Sequence, residues 1–127
     1  MNDFDKVMSD IGNDLEKYGI KIQDAVNKLT EKEVKKMVKL TKASAPQRYG
    51  KFASAITSKF ETNEIGDTIG TWGVRPPHHR LTHLLANGHQ KRGGGRVAGN
   101  PFIENAYNEV IQEYESGLQK AIDNAKI

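Results

Sequence analysis

The chain of 127 residues is predicted to form a single α+β domain, with a long helix at each end and a small antiparallel sheet between them. Three observations support this fold class. Apolar residues recur at helical spacing near both termini, their period changes to alternation after residue 51, and the length is typical of one domain. We assign residues 1–44 to a helix, 51–75 to a β-hairpin, 78–88 to a short helix, 89–99 to a mobile glycine-rich basic loop, and 101–125 to a long helix packed on the sheet.

The first helix is predicted from apolar residues at alternating steps of four and three. These residues are Phe4, Met8, Ile11, Leu15, Tyr18, Ile22, Ala25 and Leu29. After Leu29 the apolar side shifts to Val34 and Met37, so either the helix continues or a second one begins, and we favour continuation. Ala45 should end it, because a residue before proline avoids the α region. About 40 helical residues span roughly 60 Å, so part of the apolar side is expected to meet another subunit.

The middle of the chain is predicted to contain a hairpin followed by a short helix. Phe52, Ile56 and Phe60 lie on one face of an alternating pattern, which is typical of a strand. Residues 63–67 supply three polar residues and one glycine, as in a turn. Trp72 with Val74 indicates a second strand. Leucines 81, 84 and 85 then recur at helical spacing, with Asn87 and Gly88 as a helix end.

The last quarter of the chain is predicted to be a mobile loop and then a helix. Residues 89–99 are rich in glycine and contain almost nothing to bury. Pro101 fits the first turn of a helix. The apolar residues of this helix are Ile103, Tyr107, Val110, Tyr114, Leu118, Ala121 and Ala125.

Charge is unevenly distributed, although the formal net charge is only +3. No acidic residue occurs between Asp67 and Glu104, whereas five basic residues do: Arg75, Arg80, Lys91, Arg92 and Arg96. We call residues 75–103 the basic stretch and predict that it is the working surface.

The absence of cysteine excludes disulfides and thiolate chemistry and fits a reducing compartment. The N-terminus lacks the pattern of a signal peptide and no apolar run is long enough for a membrane span, so we expect a soluble protein.

Catalytic and metal sites are not predicted. His79 and His83 have the spacing of two metal ligands, with His78 and His89 nearby, but no cysteine or nearby carboxylate is available as a third ligand. No serine stands in a nucleophile-elbow setting, and no pair of carboxylates lies in a glycine-punctuated loop. The run 93–95 lacks the Lys-Ser/Thr ending of a phosphate-binding loop. We therefore expect a protein that is not an enzyme and has no cofactor.

Three motifs together resemble the small tail-completion or head-tail joining proteins of long-tailed bacteriophages and prophages. They are Ala-Pro-Gln-Arg-Tyr-Gly-Lys-Phe at 45–52, His-Leu-Leu-Ala-Asn-Gly-His at 83–89 and Gly-Asn-Pro-Phe-Ile at 99–103. The family pattern has Ala-Pro and Gly, then an apolar pair followed by Glu and Gly, then Arg-Pro-Phe before a final helix. Here Ala86 stands in place of the Glu and Asn100 in place of the Arg, and Asn105 replaces a frequent proline. An ion pair between that Glu and Arg cannot form in this chain.

The resemblance implies a virion protein at the head-tail junction, made in the bacterial host cytoplasm. It would join finished tails to DNA-filled heads as part of a hexameric ring, next to connector and tail tube proteins and near the DNA channel. The residues that we expect to contact partners or to anchor the loop are Arg75, Arg80, Leu84, Leu85, His89, Lys91, Arg92, Arg96 and Phe102. Two alternatives stay open: a nucleic-acid-binding protein or nuclease that uses the basic loop, and another ring component, a tail terminator or stopper.

Overall fold

The computed structural model describes residues 3–46, 50–91 and 93–125. It confirms the predicted α+β class and the predicted order of long helix, hairpin, short helix and long helix. The elements are α1 (Asp3–Ser44), α2 (Gly50–Ala55), β1 (Ile56–Thr62), β2 (Thr68–Val74), a 3-10 turn (His78–Leu81) leading into α3 (Thr82–Asn87), β3 (Gly88–Gln90), β4 (Arg96–Ala98) and α4 (Phe102–Asn124).

Helix α1 is continuous over 42 residues and ends just before Ala45 and Pro46, as predicted. Its two halves have different surroundings. All residues from 3 to 17 are exposed, whereas Glu33, Met37 and Thr41 in the second half are buried. Residues 3–17, which we call the exposed half of α1, therefore lie outside the packed body of the domain.

Strands β1 and β2 form the predicted antiparallel hairpin, with a register that runs from Ile56 opposite Val74 to Thr62 opposite Thr68. The turn has Gly66 at φ +87°, where a side chain would be strained. Helix α1 fixes this turn, because the Asn27 side chain donates to the Gly66 carbonyl (2.9 Å) and accepts from the Thr68 backbone N–H (2.9 Å).

The prediction that the first strand begins near Phe52 is wrong, because α2 occupies residues 50–55. Phe52, Ala55 and Ile56 are all buried, and a separation of three and four residues places them on one side of a helical turn. In a strand, Phe52 and Ile56 would also lie on the same face, because an even number of positions separates them. The spacing that we assigned to a strand therefore fits a helix as well.

The segment 89–99, which we predicted to be a mobile loop, contains strands that we did not predict, because β3 and β4 pair as a second antiparallel hairpin. Gly88 lies opposite Ala98 and Gln90 opposite Arg96. The Lys91 N–H donates to the Gly95 carbonyl at 2.9 Å, and Gly94 and Gly95 have φ of +102° and +81°. The glycines thus permit a tight turn. Backbone hydrogen bonds hold this hairpin, which is why the apolar pattern did not reveal it.

The core joins the helices to the first hairpin. Ala45, Phe52, Ile56 and Phe102 form one buried cluster, in which the Phe52 and Phe102 rings meet edge to face with centroids 6.1 Å apart. Met37, Ala106 and Val110 form a second cluster where α4 runs antiparallel to α1. Trp72 of β2 packs against both clusters. Helix α4, which we expected on the sheet, thus packs along α1 and also contacts the sheet, through Ile56 and Trp72.

Candidate assembly surfaces

Four cations of the basic stretch lie on the protein surface, and we call them the basic surface: Arg75, Arg80, Lys91 and Arg96. Within the described residues, none of them forms an ion pair with a carboxylate. Arg92, which we predicted as a contact residue, lies outside the described residues. The basic surface therefore offers positive charge that the described part of the chain does not neutralise.

Two of these cations are held in position by main-chain carbonyls. Arg75 donates from Nη2 to the Ser54 carbonyl, and Arg96 donates from Nη2 to the Asn87 carbonyl, each at 2.8 Å. A guanidinium group carries five N–H donors, so most of its hydrogen-bonding capacity stays available after one bond to a carbonyl. Such groups suit the carboxylates or phosphates of a partner.

Both ends of the β3–β4 hairpin are anchored to the domain. Leu85 packs against the cluster around Phe102, and the Asn100 N–H donates to the Leu85 carbonyl at 2.9 Å. Gly99 lies so close to α3 that a Cβ atom there would be 2.4 Å from the Ala86 carbonyl oxygen. Phe102 is only 1% exposed, so it acts as an anchor inside the core and not as a contact for a partner. Leu84, the other predicted anchor, is half-buried.

The histidines lie beside a cleft between the α3 region and the start of α4. His79 and His83 line this cleft, which has a volume of about 640 Å³, together with Ile103, Glu104 and Tyr107. The sequence suggested that no carboxylate would be near, but the fold brings Glu104 to the cleft. Even so, residues 3–46, 50–91 and 93–125 contain no group of three potential ligands that could hold a metal ion. His89 is apart from the cleft lining, with its Nδ1 atom buried and without a hydrogen-bond partner in this part of the chain.

A second charged region, which we did not predict, lies between α1 and α4. Lys36 bonds directly to Glu113 and lies 3.6 Å from Glu109, and Lys32 lies 3.7 Å from Glu113. The hydrogen bond with Lys36 lowers the pKa of Glu113 below its ordinary value. These pairs are partly exposed and act as a polar border to the helix contact.

Glu33 lies behind this border and is 2% exposed, with neither carboxylate oxygen hydrogen-bonded to a described residue. It lines a cavity of about 270 Å³ between α1, β2 and α4. Burial raises the pKa of the Glu33 carboxyl, and Glu113 raises it further, whereas Lys36 and Lys32 act in the opposite direction. The burial of Glu33 could have been predicted from the sequence. Glu33 lies four residues from both Leu29 and Met37, so it belongs to the apolar side of α1.

The exposed half of α1 is the third surface. Phe4 and Leu15 are 71% and 62% exposed, and Met8 and Ile11 lie with them on one side of the helix at heptad spacing. An apolar surface of this extent normally meets a partner. The expected contact between this part of the chain and another subunit stays a prediction.

Comparison of the chain with protein-family models, curated proteins and solved structures finds no significant match. Across the described residues, no helix combines the length and the apolar character that a membrane crossing requires.

Proposed function

We propose that this chain is a structural protein of a long-tailed bacteriophage or prophage that acts at the head-tail junction. It completes the tail end and joins tails to DNA-filled heads as one subunit of a ring, in the virion. The three motifs quoted above suggest this role. The observation that carries it is the basic surface, whose cations have no carboxylate partner in the described chain and whose hairpin is anchored to the core at both ends.

The location of the motif residues supports a scaffold that presents the basic surface. Leu85, Gly99 and Phe102 belong to the two later motifs, and all three connect the β3–β4 hairpin to the body of the domain. A fixed hairpin loses less conformational entropy when it meets a partner than a mobile loop would. Its cations can then contact acidic subunits of the neighbouring connector and tail tube, or DNA in the channel.

A pair of charge reversals on the basic surface tests this proposal. We expect the double variant Arg80→Glu, Lys91→Glu to fold normally but to lower the infectious titre at least about a hundredfold, because like charges facing each other in an interface cost several kcal/mol. The measurement is complementation of a phage that lacks the gene. The matched control is Lys21→Glu, Lys39→Glu, which changes the net charge equally at exposed sites outside the basic stretch.

Equal titres for the double variant and its control would contradict the use of the basic surface in joining. The main alternative, nucleic-acid binding by the isolated protein, has a separate readout. It requires tight binding to duplex DNA with a steep salt dependence that the same two reversals weaken. Tight, salt-dependent DNA binding that the two reversals weaken, together with normal joining by the same variant, would favour nucleic-acid binding as the function.

A further inference from the structure

The exposed half of α1 has an apolar side that the described part of the chain does not cover. Phe4, Met8, Ile11 and Leu15 are between 47% and 71% exposed. Because residues 3–17 form about 22 Å of helix, the apolar side is long enough to cross much of a neighbouring subunit. An exposed apolar surface of this kind normally binds a partner. The charged residues around it indicate which partner.

The same segment is acidic. Residues 3–17 contain five acidic and two basic side chains, which gives a net charge of −3. The acidic residues are Asp3, Asp5, Asp10, Asp14 and Glu16, and the basic ones are Lys6 and Lys17. Two copies of this segment paired side by side would together carry −6, so self-pairing brings like charges close. The opposite charge lies on the basic stretch, which has five basic residues and no acidic one.

One cation of the basic surface, Arg80, lies next to a place where apolar side chains can be buried. Arg80 immediately follows His79, which lines the cleft of about 640 Å³, and the cleft walls include Ile103 and Tyr107. Tyr107 is 52% exposed, so the cleft has apolar surface still accessible to a partner. Glu104 is the one acidic residue in its described lining.

We propose that the exposed half of α1 in one copy docks on the cleft and the basic surface of the next copy. The apolar side chains enter the cleft, while Asp14, at the edge of the apolar side, faces Arg80 beside the cleft. The two surfaces are different, so the contact is heterologous, and its repetition generates a ring or a filament. The inference rests on the proposed function, since it names a second copy of this chain as a partner of the basic surface.

Cross-linking of the purified full chain tests this contact cleanly, because the sequence has no cysteine of its own. One tagged population carries Met8→Cys and a second, untagged population carries His83→Cys, and a short thiol-to-thiol cross-linker is added to the mixture. We expect a Met8–His83 product at least about fivefold above that of a control pair in which Asn13→Cys replaces Met8→Cys. Asn13 lies on the opposite side of the same exposed helix.

Charge reversal gives an independent readout of the same contact. Asp14→Lys in the first population should reduce the cross-link about fivefold, and Arg80→Glu with Lys91→Glu in the second should restore part of it. A product no greater than the control at about 1 mM protein, where even a weak complex is substantially populated, would overturn the proposal. A dominant product between two tagged Met8→Cys copies would also overturn it, because it indicates self-pairing of α1.

The outcome is separable from that of the proposed function. If the cross-link forms at the expected level but the reversed-charge variants join heads and tails normally, the contact exists but has no role in joining. If the reversed-charge variants fail to join heads and tails but no cross-link forms, this contact between copies is excluded and the proposed function still holds.

Discussion

Replacing Phe102 with alanine should lower the free energy of unfolding by about 3–5 kcal/mol, as expected for a large buried aromatic side chain. Its ring is 1% exposed and meets Phe52 edge to face, so truncation leaves a cavity in the cluster that connects α2, β1 and α4. For a chain of this length the change corresponds to a fall in melting temperature of about 10–20 °C. Thermal and urea unfolding of the purified protein measure it.

The control for Phe102→Ala is Tyr107→Ala on the same helix. Tyr107 is 52% exposed, so its truncation should cost less than about 1 kcal/mol. The comparison also separates two roles of Phe102, which the sequence placed among the residues that contact partners or anchor the loop. If Phe102→Ala retained its stability and failed only in joining, the side chain would be a partner contact and the assignment to the core would be wrong.

Replacing Glu33 with methionine should raise the free energy of unfolding at pH 7 by about 1–3 kcal/mol. The wild-type carboxylate is buried without a hydrogen-bond partner among the described residues, and burying an ionised group in this way is unfavourable. Methionine fills a similar volume next to Met37 and Val110 without that cost. The exposed Glu31→Met is the matched control and should change stability by less than about 0.5 kcal/mol.

The gain from Glu33→Met should depend on pH. Folding raises the pKa of Glu33, so the protonated carboxyl is favoured in the folded state. Below the pKa that Glu33 has in the unfolded chain, the carboxyl is protonated in both states, so ionisation does not destabilise wild type. As pH rises toward and through the folded pKa, wild type loses stability relative to the variant. Unfolding free energies at acidic and neutral pH test this sign. A variant less stable than wild type at pH 7 would mean that the Glu33 carboxylate has a favourable partner in its cavity.

The helices were predictable because each has many apolar residues at one spacing. The apolar positions at helical spacing in α4 and the proline after α1 determine those elements almost independently of the rest of the chain. The short helix with Gly88 at its end was predictable for a similar reason, since a glycine with φ +82° ends α3. Local patterns of this kind need no knowledge of tertiary contacts.

The features that sequence reasoning missed depend on contacts between distant residues. Phe52 and Ile56 fit a strand as well as a helix, and Phe102, fifty positions away from Phe52, packs with them in the core. The β3–β4 hairpin has few apolar residues, so only its backbone pairing identifies it. Glu104 joins His79 and His83 at one cleft because α3 and α4 meet, and Glu33 is buried because α4 covers it. The cations of the basic surface were predictable, but their anchoring to Ser54 and Asn87 carbonyls was not.

The most direct test of the proposed role is electron microscopy of particles made by a phage from which this gene has been deleted. We expect DNA-filled heads and separate, complete-length tails that fail to join, with joining restored when the wild-type protein is supplied from a plasmid. Complete infectious particles in the absence of the gene would contradict it.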